Sequence, residues 1–122
     1  MSETSPSRIT VLLAEDHTIV RQGLRALLVG HPDVVVGGEA ADGRAAVAEA
    51  LRLDPDVVVM DLGMPGLNGV DATRQITRAL PRTRVLVLSM HSGEEYVLPA
   101  GRAGCSGYLV KGSGLADLVA AI

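Results

Sequence analysis

Asp61 follows the apolar run Val57-Val58-Val59-Met60 and precedes the turn Leu62-Gly63-Met64-Pro65-Gly66. A run of β-branched and long apolar residues closed by an acid reads as a buried strand with a carboxylate at its C-terminal tip. In an open parallel α/β sheet, ligands bind outside the carboxyl ends of the strands. An acid at that edge is placed for chemistry rather than for holding the sheet together. Comparable apolar runs end in other polar groups: Glu15 and Asp16 after Ile9 to Ala14, Ser89 after Val85 to Leu88, and Lys111 after Tyr108 to Val110.

If these runs are neighbouring parallel strands, the side chains at their ends converge on one edge. Three carboxylates brought together repel one another, and a divalent cation relieves the repulsion. Ligands that are all oxygens favour Mg2+, which keeps several waters and pairs with phosphate oxygens. Lys111 adds a compact positive charge suited to a phosphoryl oxygen, and Ser89 adds a hydroxyl donor. A nucleophile, a metal site, a cation and a donor together are what formation of an acyl phosphate requires.

Plainer readings exist for each residue. Asp61 reads equally as a solvated strand-end acid. Glu15 and Asp16 also suit the N-terminus of a following helix, where negative charge is favoured. Ser89 reads as a helix-entry residue, Lys111 as a surface lysine and Tyr108 as a core or edge tyrosine. His17 and His91 lie near the acids but read as structural or surface residues, His31 as a solvated turn residue, and Cys105 as a small buried apolar residue.

The elements that must position these groups follow from the pattern of apolar residues. Val20, Leu24, Leu27 and Leu28 recur at helical spacing and are stopped by Gly30-His31-Pro32-Asp33. Val34 to Val36 reads as a second strand closed by Gly37-Gly38, so this strand end lacks a polar group. An Ala-rich helix spans Arg44 to Leu53, opened by Asp42-Gly43; Asp54-Pro55 leads into the strand that ends at Asp61. Asn68 to Leu80 reads as a third helix, with Pro81 after its end. Glu94 to Arg102 reads as a fourth helix, but it contains Pro99 and Gly101 and is expected to be poorly formed or mobile. Leu115 to Ile122 begins a fifth, with Ser113 as a candidate N-cap between Gly112 and Gly114.

Strict βα alternation implies a parallel sheet with helices on both faces. The 122 residues suit one domain. Residues 1–7 are polar and read as a disordered leader, and 8–122 as the domain, whose last helix looks truncated. Hydrophobic residues make up 48% of the chain, but there is no Phe or Trp, so the core must be Val, Leu, Ile, Ala and Met. A net charge of −3 argues against a nucleic-acid surface on this domain. The single cysteine excludes an internal disulfide and a CxxC zinc site. No membrane span or signal peptide is legible, so the expected location is cytoplasmic.

The pieces Ala14-Glu15-Asp16-His17, Met60-Asp61-Leu62-Gly63-Met64-Pro65-Gly66, Leu88-Ser89-Met90-His91 and Gly107-Tyr108-Leu109-Val110-Lys111 stand in one order and spacing. In that order the chain resembles the receiver domain of bacterial two-component response regulators. With Val20-Arg21-Gln22-Gly23-Leu24 it looks like the NarL/FixJ subfamily, whose output is a LuxR-type helix-turn-helix. The resemblance covers about residues 8–122. It implies a flavodoxin-like (CheY-like), doubly wound (βα)5 fold with strand order 2-1-3-4-5.

By that resemblance Asp61 is the phosphoacceptor, Asp16 ligates Mg2+ directly, and Glu15 does so mostly through water. The backbone carbonyl of Gly63 completes the protein's share of the metal shell. Lys111, Ser89 and the backbone of Met90 contact the phosphoryl group, and Ser89 and Tyr108 form the switch pair. The implied partners are a cognate sensor histidine kinase, a second copy of the chain on phosphorylation, and DNA only through an output domain that lies outside these residues. The implied protein is a phosphoacceptor switch rather than an enzyme.

Gly63 departs from the pattern, because many relatives carry a long polar side chain there. Easier access of water to Asp61 is expected, partly offset by the bulk of Met90. Two other functions stay open at this point: an interaction module that works without phosphorylation, and an Asp-nucleophile phosphatase of the dehalogenase type. The phosphatase needs a second acid two residues after the nucleophile, where this chain has Gly63.

Overall fold

The computed structural model of the chain describes residues 8–64, 66–89, 93–110 and 122. Five strands alternate with four helices: β1 (Ile9–Ala14), α1 (Thr18–Val29), β2 (Val34–Ala40), α2 (Gly43–Leu53), β3 (Val57–Asp61), α3 (Gly69–Ala79), β4 (Arg84–Ser89), α4 (Glu94–Arg102) and β5 (Gly107–Val110). The strands form one parallel sheet in the order β2-β1-β3-β4-β5. The expected order is therefore met. The leader, Met90, His91, Lys111, Ser113 and the fifth helix up to residue 121 lie outside the described residues.

Successive side chains of a strand point to opposite faces, and the strands here supply two cores. Leu12, Ala14, Val58, Met60, Val85 and Val87 face Ala46 and Ala50 of α2, Ala72 and Ile76 of α3, and Ala100 of α4. Val11, Leu13, Val57, Val59, Leu86 and Leu88 face the opposite way, onto Leu24 and Leu28 of α1. Every residue of β3 is buried, as a central strand covered on both faces must be. The small alanines on α2 and α3 let those helices lie close to a sheet whose own side chains are bulky.

Two helices start on caps legible in the sequence. Asp42 accepts a hydrogen bond from the Ala45 N–H at 2.8 Å, and Asn68 accepts one from the Asp71 N–H at 2.9 Å. Gly69, the first residue of α3, is required by close approach: a Cβ there would collide with the Asp61 carbonyl and the Leu62 Cα. The α3 N-terminus thus sits directly against the end of β3.

Two expectations need correction. β2 does not close at Gly37-Gly38 but continues through both glycines to Glu39 and Ala40. The ladder instead absorbs Gly37 as a bulge: Val11 pairs with Val36, yet Leu12 pairs with Gly38. A Cβ at Gly37 would meet Thr10 Cγ2 at 2.8 Å and the Leu53 methyls at 3.1 and 3.2 Å, so any larger residue there would have to displace those side chains. The segment Glu94–Arg102 is helical over its whole range rather than poorly formed. Ala100 and Ala103 are buried, and Thr77 Oγ1 donates to the Ala103 carbonyl at 2.8 Å. Tertiary contacts at its C-terminal end hold a helix that its own composition disfavours.

Candidate phosphoacceptor site

The acid cluster assembles at the C-terminal edge of β1 and β3, which are adjacent and in register from Val11–Val57 to Ala14–Met60. The residue after each pair is an acid: Glu15 on one chain segment and Asp61 on the other. Ligand atoms of Glu15, Asp16, His17 and Asp61 all lie within 4.8 Å of one another. Glu15 and Asp61 are buried, with 2% and 6% of their surfaces exposed, whereas the Asp16 side chain keeps 25%. Burying two carboxylates this close is costly unless a positive charge joins them.

Local backbone geometry points these acids inward. The Glu15 N–H donates to the Ala40 carbonyl at 2.9 Å, which carries β1 one residue beyond its last sheet pair. Glu15 Oε2 accepts the His17 N–H at 3.1 Å, just ahead of α1. Asp61 Oδ1 lies 3.4 Å from the Gly63 N–H, a long contact across the following turn. The buried Asp16 Oδ1 accepts no well-formed hydrogen bond from the described residues. His17 Nδ1 lies 3.3 Å from it and 3.1 Å from Glu15 Oε2. A carboxylate oxygen without a well-formed hydrogen bond, beside two further carboxylates, belongs to a donor set that fits a hard divalent cation.

The other expected residues divide into those the fold brings near and those beyond description. Ser89 is buried at the end of β4, the strand next to β3, where Asp61 pairs with Leu88 one residue before it. Tyr108 sits on β5 opposite Val87, half-buried against the core shared with α2 and α3. Gly63 is exposed beside the Asp61 carboxylate, and a Cβ there would stand 4.0 Å from both Asp61 oxygens with nothing nearer. Lys111 and Met90 lie outside the described residues. Cys105 is half-buried, and burial pushes its thiol up from the ordinary range.

One residue escaped the reading of the sequence, and another, His17, was read as structural or surface only. His17 is 67% exposed, as expected of a surface residue, yet its ring touches two of the acids. The second strand end, expected to carry only glycines, presents Glu39. Its Oε1 accepts from Arg21 Nε at 2.9 Å and its Oε2 from Arg25 Nη1 at 2.6 Å. The segment Val34-Val35-Val36-Gly37-Gly38-Glu39-Ala40 carries no alternation that would have signalled the continuation, and paired glycines read as a strand stop.

This arrangement defines a class. The chain matches the response regulator receiver domain family over residues 11–122 and belongs to it. It is 45% identical over 114 residues to the transcriptional regulatory protein LiaR of Bacillus subtilis, covering 93% of this chain and 54% of that one. A crystal structure of a LuxR-family two-component response regulator from an Aurantimonas species superposes with a TM-score of 0.89 at 43% identity. That match covers 94% of this chain and 82% of the other. The isolated receiver domain of RcsB from Salmonella enterica, solved in the presence of the phosphomimetic BeF3−, gives 0.86 at 30% identity, covering 94% and 86%. The relatives place the chain among receiver domains of the LuxR/NarL type. It spans about half the length of the curated relatives it matches. Among the described residues, no helix is long and apolar enough to cross a membrane.

Proposed function

We propose that the chain is a phosphorylation switch in which Asp61 accepts a phosphoryl group with the help of Mg2+. The observation that carries this reading is the buried Asp61 carboxylate within 4.8 Å of ligand atoms from Glu15 and Asp16. An Asp61 oxygen attacks the phosphorus of a phosphohistidine or small acyl phosphate. The bond from phosphorus to the donor breaks, and the donor leaves with that electron pair. Water later cleaves the acyl phosphate and restores the carboxylate.

Asp16, Glu15, Asp61 and the Gly63 carbonyl would hold the cation, which when bound offsets the charge of the transferring phosphoryl oxygens. Lys111, Ser89 and the Met90 backbone would contact the phosphoryl group, and Tyr108 would follow Ser89 as it moves. The surface of α4 and β5 would then repack and favour a different partner, provided the two states bind it unequally. A sensor histidine kinase as donor, a homodimer on phosphorylation, DNA binding through a separate output domain and a cytoplasmic setting all belong to this reading. The transcriptional names of the relatives support the output role.

Intact mass after incubation with acetyl phosphate and Mg2+ tests it. A single phosphoryl adduct is expected on the wild type and none on Asp61→Asn. No adduct on either, together with no binding of BeF3−, would replace this reading with an interaction module that works without phosphorylation.

A further inference from the structure

Arg21 stands in the first turns of α1, behind the acid site. Its Nη1 donates to the backbone carbonyl of Glu15 at 2.7 Å, while its Nε donates to Glu39 Oε1 at 2.9 Å. Arg25, one turn on, takes the other oxygen of Glu39. The Arg21 side chain is only 18% exposed, so this contact is not a loose surface pair.

We propose that Arg21 is a positioning residue of the acid site: through Glu39 it fixes the Glu15–Asp16 peptide and so sets the affinity of the carboxylates for a divalent cation. This inference rests on the receiver reading above. The carbonyl that Arg21 holds belongs to the same planar peptide unit as the Asp16 N–H. Fixing one end of that plane fixes the direction in which the chain enters Asp16. The N–H on the other side of Glu15 is tied to Ala40, so both flanks of this acid are anchored to the end of β2.

The bulge at Gly37 makes the arrangement work. Residues paired across a parallel ladder face the same side. Glu39 pairs with Leu13, which points to the α1 core, and Ala40 pairs with Ala14, which points to the α2–α3 core. Had the register run on unshifted from Val11–Val36, Glu39 would pair with Ala14 and turn away from α1, leaving Arg21 and Arg25 without their shared acceptor. A guanidinium is the group that suits the task, because its planar fork reaches Glu39 and the Glu15 carbonyl at once. A lysine ammonium offers a point charge on a flexible stem.

The experiment is a Mg2+ titration of the whole chain, followed by the backbone amide signals of Asp16 and Gly63, for wild type, Arg21→Met, Arg21→Lys and Glu39→Gln. Melting curves in metal-free buffer check the fold. Arg21→Met is expected to weaken Mg2+ binding about tenfold, the scale of losses when the outer support of a metal ligand is removed. Arg21→Lys should fall between Arg21→Met and wild type, and Glu39→Gln should shift in the same direction by less. Wild-type affinity in a folded Arg21→Met overturns the inference. If that variant does not fold, wild-type affinity in both Arg21→Lys and Glu39→Gln overturns it. Failure of the wild type itself to bind Mg2+ would overturn the receiver chemistry, and this inference with it.

Discussion

The corner formed by β1, α1 and β2 and the segment from β4 through α4 to β5 belong to the same sheet but are held in different ways. In the first, Glu15 is tied through its N–H, its carbonyl and its carboxylate, and Glu39 binds two arginines. In the second, α4 begins at Gly93 with no side-chain cap, and Pro99 offers no N–H to the Glu95 carbonyl one turn back. Leu98 is 49% exposed, and all four residues of β5 are only half-buried. The C-terminal end of α4 is fixed by Ala100, Ala103 and the Thr77 bond. A site that must hold charged groups in register needs the first kind of construction. A surface that must change shape needs the second, because regions with few buried contacts open at lower free energy.

The contrast is broken or sharpened most strongly by core truncation. Leu12→Ala removes a fully buried side chain of β1 from the core under α2 and α3. It should cost about 2–5 kcal/mol in denaturant unfolding, whereas the half-exposed Leu98→Ala should stay within about 0.5 kcal/mol. Comparable losses would mean that α4 is as integral to the core as β1.

A smaller effect is expected at the acceptor itself. Gly63→Arg places a long side chain where a Cβ already stands 4.0 Å from both Asp61 oxygens. It should slow loss of the phosphoryl group severalfold in a phosphate-release assay, by screening Asp61 from water. Equal decay rates would show that access is controlled from the other side of the site.

The smallest effect compares two exposed helix glycines. A Cβ at Gly23 in α1 or at Gly101 in α4 meets nothing within 4 Å, so alanine should stabilise by about 0.5–1 kcal/mol at each. At Gly23 the gain should raise the melting temperature. At Gly101 it should show first as slower amide exchange at Tyr96 and Val97. Equal rises in melting temperature with unchanged exchange in α4 would place that helix inside the cooperative core.

The parallel βα architecture was legible in the sequence because its signals are local. Continuous apolar runs, helical spacing and caps such as Asp42 and Asn68 act within a few residues of themselves. The acids at the ends of β1 and β3 were legible for the same reason, since each closes an uninterrupted apolar run. β2 was misread because Gly37-Gly38 has the composition of a stop, and whether paired glycines end a strand depends on the neighbour. Here β1 continues the pairing and forces Gly37 out as a bulge. α4 was misjudged in a similar way, since the contacts that hold it come from α3.

The sequence by itself determined the order of elements, the two-sided core and the identity of the acids that meet at the sheet edge. The tertiary structure alone decided the register between β1 and β2, and with it the face on which Glu39 meets Arg21. The physical reason is the period of two along a strand: a shift of one residue turns every following side chain to the opposite face. That shift falls at Gly37, where a Cβ would meet Thr10 and Leu53, residues distant from it in the chain.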